Sequence, residues 1–159
     1  MLSFDLKGLL TPNTNIVASV TELKQNFVDA IPSDTRQKNF DKYIYYSTEL
    51  KNILNVESML QWINGSFVTN TKNPKDIDLI TFIDVELRVE FEVELKKFEA
   101  KGANDVYGVD AYILTVFPES HSNYFFFQSD KAYWMELFSK TKRDKTGIKH
   151  HKGFLEITF

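Results

Sequence analysis

Two aspartates separated by one residue, Asp76 and Asp78, open the apolar run Ile77 to Ile83. On an extended strand, residues two apart point to the same face with Cα atoms roughly 6.5 to 7 Å apart. At the beginning of a buried strand, where side chains emerge beside a loop, such carboxylates can converge on a hard cation such as Mg²⁺. An isolated D-x-D pair in a chain with 22 acidic residues reads as a solvated turn. Here, however, a short apolar strand also precedes Gly65-Ser66, so a glycine turn and an acid pair stand at neighbouring strand ends. Gly65 lets the backbone approach a ligand closely, and the amides after it, with the Ser66 hydroxyl, can face a phosphate. Lys72 and Lys75, just ahead of Asp76, add point charges suited to phosphate. The competing reading is an ordinary turn with lysines that solvate a loop.

These residues carry a resemblance. Gly65-Ser66 followed by Asp76-x-Asp78, with an apolar strand on each side, resembles the signature of the DNA polymerase beta-like nucleotidyltransferase superfamily, above all its small prokaryotic members. More narrowly, the chain resembles a family of small bacterial proteins of that fold. The resemblance runs through Gly8-Leu9-Leu10-Thr11-Pro12, Gln61 to Val68, Asn73 to Leu79, Tyr133-Trp134 and Lys152 to Ile157, and so spans almost the whole chain. It implies a nucleotidyltransferase-like fold in which the Gly65-Ser66 turn holds a nucleoside triphosphate and Asp76 and Asp78 bind two Mg²⁺ ions with a third carboxylate. The acid that matches the third position is Asp110, inside the apolar run Tyr107 to Phe117, where an acidic side chain is costly unless paired or metal-bound. The implied reaction is Mg²⁺-dependent transfer of a nucleoside monophosphate to a hydroxyl on protein, RNA or a small molecule, with Asp110 as general base or shared ligand. The alternative is a catalytically inactive module of the same fold that binds a cognate toxin or antitoxin, or another defence-system partner.

Other groups are less specific. His121 lies in a loop, where it either touches substrate or simply faces solvent. His150 and His151 are adjacent and would point to opposite faces of a strand, which argues against a shared metal. Lys140, Lys142, Arg143, Lys145, Lys149 and Lys152 form the one basic concentration, either a solvated helix end or a contact for RNA or a phosphate tail. For the aromatic run Tyr124 to Phe127, core packing is the economical reading and a partner surface the other.

Composition narrows the classes. The 159 residues suit a single domain, 1–159, and 43% hydrophobic with 26% charged residues marks a folded chain. A net charge of -3 leaves no global positive field for duplex DNA or an anionic membrane. Cysteine is absent, which excludes disulfides, thiolate metal sites and a cysteine nucleophile. The first residues do not read as a secretory signal, so the expected location is cytoplasmic.

The elements that must position the acids follow from periodicity. Ser19 with Glu22 predicts a capping box for a helix carrying Leu23, Phe27 and Ile31, closed by Pro32. Ser33 caps a second helix that runs to Asn55. Strands are predicted at Met59 to Ile63, Ile77 to Asp84 and Tyr107 to Phe117, with a last one at Gly153 to Phe159. Val85 to Ala100 fits both periods; Glu residues at its start, lysines at its end and Gly102 as a cap favour a helix. A further helix should start at Ser129-Asp130. The order α-α-β-β-α-β-α-β predicts an α+β fold, a small mixed sheet with helices packed on it.

Overall fold

The computed structural model describes residues 2–159 and has an α+β architecture. Strands β1 (Ser3–Phe4) and β2 (Leu10–Thr11) form a small antiparallel pair. They are followed by β3 (Asn15–Val17), α1 (Val20–Lys24), α2 (Asp34–Leu54), β4 (Leu60–Asn64), β5 (Asp78–Asp84), α3 (Val85–Glu90) and α4 (Glu92–Leu95). The chain ends with α5 (Ala100–Tyr107), β6 (Asp110–Val116), α6 (Tyr124–Phe138) and β7 (Phe154–Thr158). The main sheet has five strands in the order β3-β7-β4-β5-β6, parallel at both edges and antiparallel across β7, β4 and β5.

Period-two alternation divides the sheet between two cores. Ile63, Leu79, Ala111, Leu155 and Ile157 face one side and pack with Leu23, Phe27, Phe40, Tyr43, Tyr46 and Leu50 of the first two helical segments. Trp62, Ile80, Leu114 and Phe154 face the other side, where Phe127, Trp134 and Phe138 of α6 close over them. Three layers result, and every strand of the central trio is buried on both faces, which accounts for their nearly unbroken apolar runs. The Ser19–Glu22 capping box forms in both directions, and α1 runs on into a π-helical turn over Gln25–Asp29. Ser33 caps α2 by accepting from the Arg36 amide at 3.1 Å, and Asn55 ends it in the left-handed conformation.

Several expectations need correction. The opening segment, outside the predicted elements, supplies β1, β2 and the parallel edge strand β3, with Gly153 N–H donating to the Leu10 carbonyl at 2.6 Å. Val85 to Ala100 is helical but broken, into α3, α4 and a 3-10 turn at Lys96–Phe98, with Glu99 extended. The bends let Leu95 and Phe98 reach the core, where Phe98 stacks on Tyr107 at 5.1 Å and meets Tyr46 at 5.6 Å. Gly102 is not a cap. It lies in α5, and an added Cβ would strike the Lys96 carbonyl, so glycine is what allows α5 to fold back onto the preceding turn. The left-handed cap is Gly108, and Tyr107 therefore ends a helix instead of starting a strand. Helix α6 begins at Tyr124, five residues before Ser129, so the aromatic run forms its first turn. Only Phe127 of that run is buried, whereas Phe125 and Phe126 are 75% and 62% exposed.

Candidate functional site

Sheet order brings four strand ends together. Asp78 is the first residue of β5 and Asp110 the first of β6, and the two are register partners. Neighbouring strands run roughly 5 Å apart, so their carboxylates rise side by side from one face. On the other flank Asp78 pairs with Asn64, the last residue of β4. Lys152, two residues ahead of β7, reaches this row with its side chain: its ammonium donates to the Asn64 side-chain oxygen and, at 3.3 Å, to the Gly153 carbonyl. The next row along the same face, Trp62, Ile80 and Tyr112, is the start of the α6-covered core. Asp78 and Asp110 thus stand half-buried at the starts of β5 and β6, one row from the α6-covered core.

The electrostatics record this crowding. Burial pushes the Asp78 carboxyl up to about 6, reinforced by the negative charges of Asp76 and Asp110 and opposed by Lys142 and Lys152. Lys152, only 3% exposed, is lowered to about 8 by burial, with Asp78 acting in the opposite direction. Beside the pair, the Asp110 charge heads the causes that raise the Tyr112 phenol.

Gly65 has a different reason from the one its position in a turn suggests. Its φ is +78°, and an added Cβ would fall on the Asp78 carboxylate. Glycine is therefore required for Asp78 to lie over the turn, as well as for the backbone to take that conformation. Ser66 begins a 3-10 turn over Ser66–Val68, and its carbonyl accepts from the Thr69 hydroxyl at 2.7 Å. Among the described residues its own hydroxyl has no protein partner.

The loop between the turn and the acid pair is held from below by Arg36. This side chain is completely buried, and its guanidinium donates to the carbonyls of Phe27 and Phe67 at 2.7 Å, Thr69 at 2.6 Å and Thr71 at 3.1 Å. All five N–H donors are used on backbone oxygens, with no carboxylate. Burial without a counter-charge lowers it to about 10. Ser33 donates to the Lys72 carbonyl at 2.9 Å and Asn39 to the Pro74 carbonyl at 3.0 Å, so the first turns of α2 fix the whole loop.

Of the residues singled out from the sequence, Gly65, Asp78 and Asp110 are in one place, Ser66 adjoins them, and the Asp76 charge acts on Asp78. Lys72 and Lys75 are exposed in the clamped loop and are not among the charges that act on Asp78. Lys142 and Lys152 occupy that role instead. Asn64 and Arg36 went unread as site residues, and Lys152 was read only within the basic concentration; the signal that set it apart was its place before the apolar run of β7, and Arg36 gave none, since an arginine in a first helical turn is ordinary.

The donor set suits a hard divalent cation, because carboxylate oxygens are its preferred ligands and Asp78, raised chiefly by burial and further by Asp76 and Asp110, stands among like charges. Among the described residues no three carboxylate or imidazole groups are already gathered closely enough to hold an ion. Asp78 and Asp110 would be the primary ligands, and Asp76, which precedes the strand, would have to turn in. His121 follows the far end of β6, its ring tilted against Phe117 at 4.7 Å and accepting from the Asn123 amide.

Residues 2–158 match the model of a family of unknown function, DUF6932. The chain belongs to that family. No curated protein and no solved structure matches it significantly. Among the described residues of this DUF6932 member, no helix is long and apolar enough to cross a membrane.

Proposed function

We propose that this DUF6932 protein is a nucleotidyltransferase-fold enzyme that transfers a nucleoside monophosphate from a nucleoside triphosphate to a hydroxyl acceptor. The observation that carries the reading is the cross-strand pair Asp78–Asp110 at the starts of β5 and β6, with the Asp78 carboxylate lying over Gly65. In this reading Gly65 and Ser66 cradle the triphosphate, and the free Ser66 hydroxyl is a donor for it. Asp76, Asp78 and Asp110 would hold Mg²⁺, which when bound offsets the charge of the triphosphate. The acceptor oxygen attacks the α-phosphorus, the bond to the β-phosphate oxygen breaks, pyrophosphate leaves, and the acceptor proton passes to Asp110. Lys142 and Lys152, whose charges act on Asp78, would supply positive charge beside the leaving group.

Thermal melts with Mg²⁺ and each of the four ribonucleoside triphosphates test the proposal. Wild type should gain several degrees with at least one Mg²⁺–triphosphate pair, by the linkage of binding to folding, and Ser66→Ala should lose part of that gain while its ligand-free melt stays nearly unchanged. No gain with any triphosphate would overturn it. The second reading, a binding module for a toxin or antitoxin partner, rests on the adjacent exposed Phe125 and Phe126, and it predicts no metal-dependent triphosphate shift.

A further inference from the structure

At the opposite end of the sheet from the acid row, β5 and β6 finish side by side at Asp84 and Val116, which are register partners. Asp78 and Asp84 are the first and last residues of β5, about 20 Å apart on an extended strand. At the far end the two strands meet the loop after α2, the start of α3 and the first turns of α6 around a cleft of about 350 Å³. Met59, Leu60, Phe82, Leu87, Val116 and Phe127 form its apolar walls. Met59 and Phe127 are buried, but Phe82, Leu87 and Val116 are only half-buried and Leu60 is exposed. Apolar surface from the cores on both sides of the sheet is therefore left uncovered here.

Two charged residues line this cleft, and neither is placed as its element alone would place it. Lys131 lies on the sheet-facing stripe of α6, in the series Phe127, Lys131, Trp134 and Phe138. The other three members pack into the core beneath the helix, and an apolar residue would complete the pattern at 131. Lys131 is accordingly half-buried where Ser129, Asp130 and Ala132 are exposed, and its ammonium turns back over the Phe127 ring, 6.0 Å from the centroid. Asp84 stands where β5 gives way to α3, a position at which aspartate usually caps the helix. Its side chain makes no capping hydrogen bond. Among the described residues the two charges form no ion pair with each other, although both line the same cleft.

We propose that this cleft binds a free α-amino acid with a large apolar side chain, its carboxylate on Lys131, its ammonium on Asp84 and its side chain among Phe82, Leu87, Val116 and Phe127. The cleft offers one positive and one negative group on apolar walls, and a zwitterion with an apolar tail carries the complementary set. A fatty acid would leave Asp84 unmatched, and a simple amine would leave Lys131 unmatched. A sphere of the cleft's volume is about 9 Å across, the span of two charge-assisted contacts of about 2.8 Å on either side of the roughly 3 Å between an amino acid's ammonium and carboxylate. That volume is at the small end of ligand pockets, as a ligand of this size requires. Lying at the other end of β5 from the acid row, the site is independent of the nucleotidyltransferase reading.

Isothermal titration calorimetry in EDTA and without nucleotide, with L-phenylalanine, L-tryptophan and L-leucine as the probes, tests the cleft apart from the acid row. At least one of the three should bind saturably, one molecule per chain. The carboxamide and the N-acetyl derivative of that probe each lack one charge and should bind about tenfold more weakly or worse, as should decanoate. Lys131→Met and Asp84→Asn should each weaken binding by about tenfold or more. Lys131→Met puts an apolar residue on the sheet-facing stripe and Asp84→Asn changes an exposed side chain, so both should melt no lower than wild type and lost binding is not lost folding. No saturable binding of any probe, blocked derivatives that bind as well as the free amino acid, or wild-type affinity in either variant would overturn the proposal. Decanoate binding as tightly as the amino acid would also overturn it and reassign the cleft to apolar carboxylates. A concentration-dependent dimer that Lys131→Met abolishes would overturn it in favour of a second copy of the chain.

Discussion

Replacing Asp78 with asparagine should make the metal-free protein more stable at neutral pH. In the folded chain burial and the neighbouring carboxylates raise the Asp78 carboxyl from 3.8 to about 6. Folding therefore favours the protonated form, so between these two values the folded state binds more protons than the unfolded state, and stability falls as pH rises through that window. Above it the cost is fully present, about 3 kcal/mol as an upper figure from a difference of roughly two pKa units. The asparagine side chain has nearly the same shape without the charge, and after allowance for an imperfectly paired amide the gain should be about 1 to 2 kcal/mol. For a domain of this size that amounts to roughly 2 to 8 °C in melting temperature. Differential scanning calorimetry in EDTA at about pH 7.5, above the window, and about pH 4, at its lower edge, gives the check. The gain should be present at the higher pH and largely gone at the lower, where wild-type Asp78 is itself protonated. A variant no more stable than wild type at neutral pH, or one whose advantage is unchanged in acid, would refute the cost of burying a charged Asp78 beside other carboxylates at this sheet end.

Three further outcomes follow from the same geometry. Gly65→Ala should destabilise the protein by about 1 to 3 kcal/mol in chemical denaturation, because a Cβ at φ +78° also displaces the Asp78 carboxylate; a near-neutral effect would show that the turn is adaptable. Arg36→Lys keeps the charge but has three donors for four carbonyls, so it should cost about 2 to 4 kcal/mol. Hydrogen exchange should then accelerate selectively across the loop 66–75. Lys152→Met strands the Asn64 oxygen but also removes a buried charge, so below about pH 8 the two effects should offset to within about 1 kcal/mol, and the variant should become the less stable protein as the pH rises. Since burial depresses the lysine to about 8, wild type carries a penalty that is relieved as pH rises above that value, and the variant should lose that rise in a pH series of melts.

Much of the site was legible because its chemistry is local. Gly65-Ser66 and Asp76-x-Asp78 are adjacent in sequence to the strands they terminate, and period-two alternation alone puts Asp78 on one face with Ile80 and Phe82. The helices at Ser19 and Ser33 were equally readable, since a capping serine and a helical stripe are properties of short windows. Tertiary structure decided whatever depends on which strands are neighbours. That Asp110 partners Asp78, and that Lys152 reaches Asn64 across 88 residues of sequence, follows from the strand order β7-β4-β5-β6, which no window of the sequence contains. The same holds for Arg36, whose five donors are satisfied by carbonyls from two distant segments, and for the broken helix after Asp84, where burying Phe98 between Tyr46 and Tyr107 outweighs the continuity its own periodicity favours. Backbone propensity is worth tenths of a kcal/mol per residue, whereas a buried aromatic ring is worth about 2 to 3, so packing sets the bends.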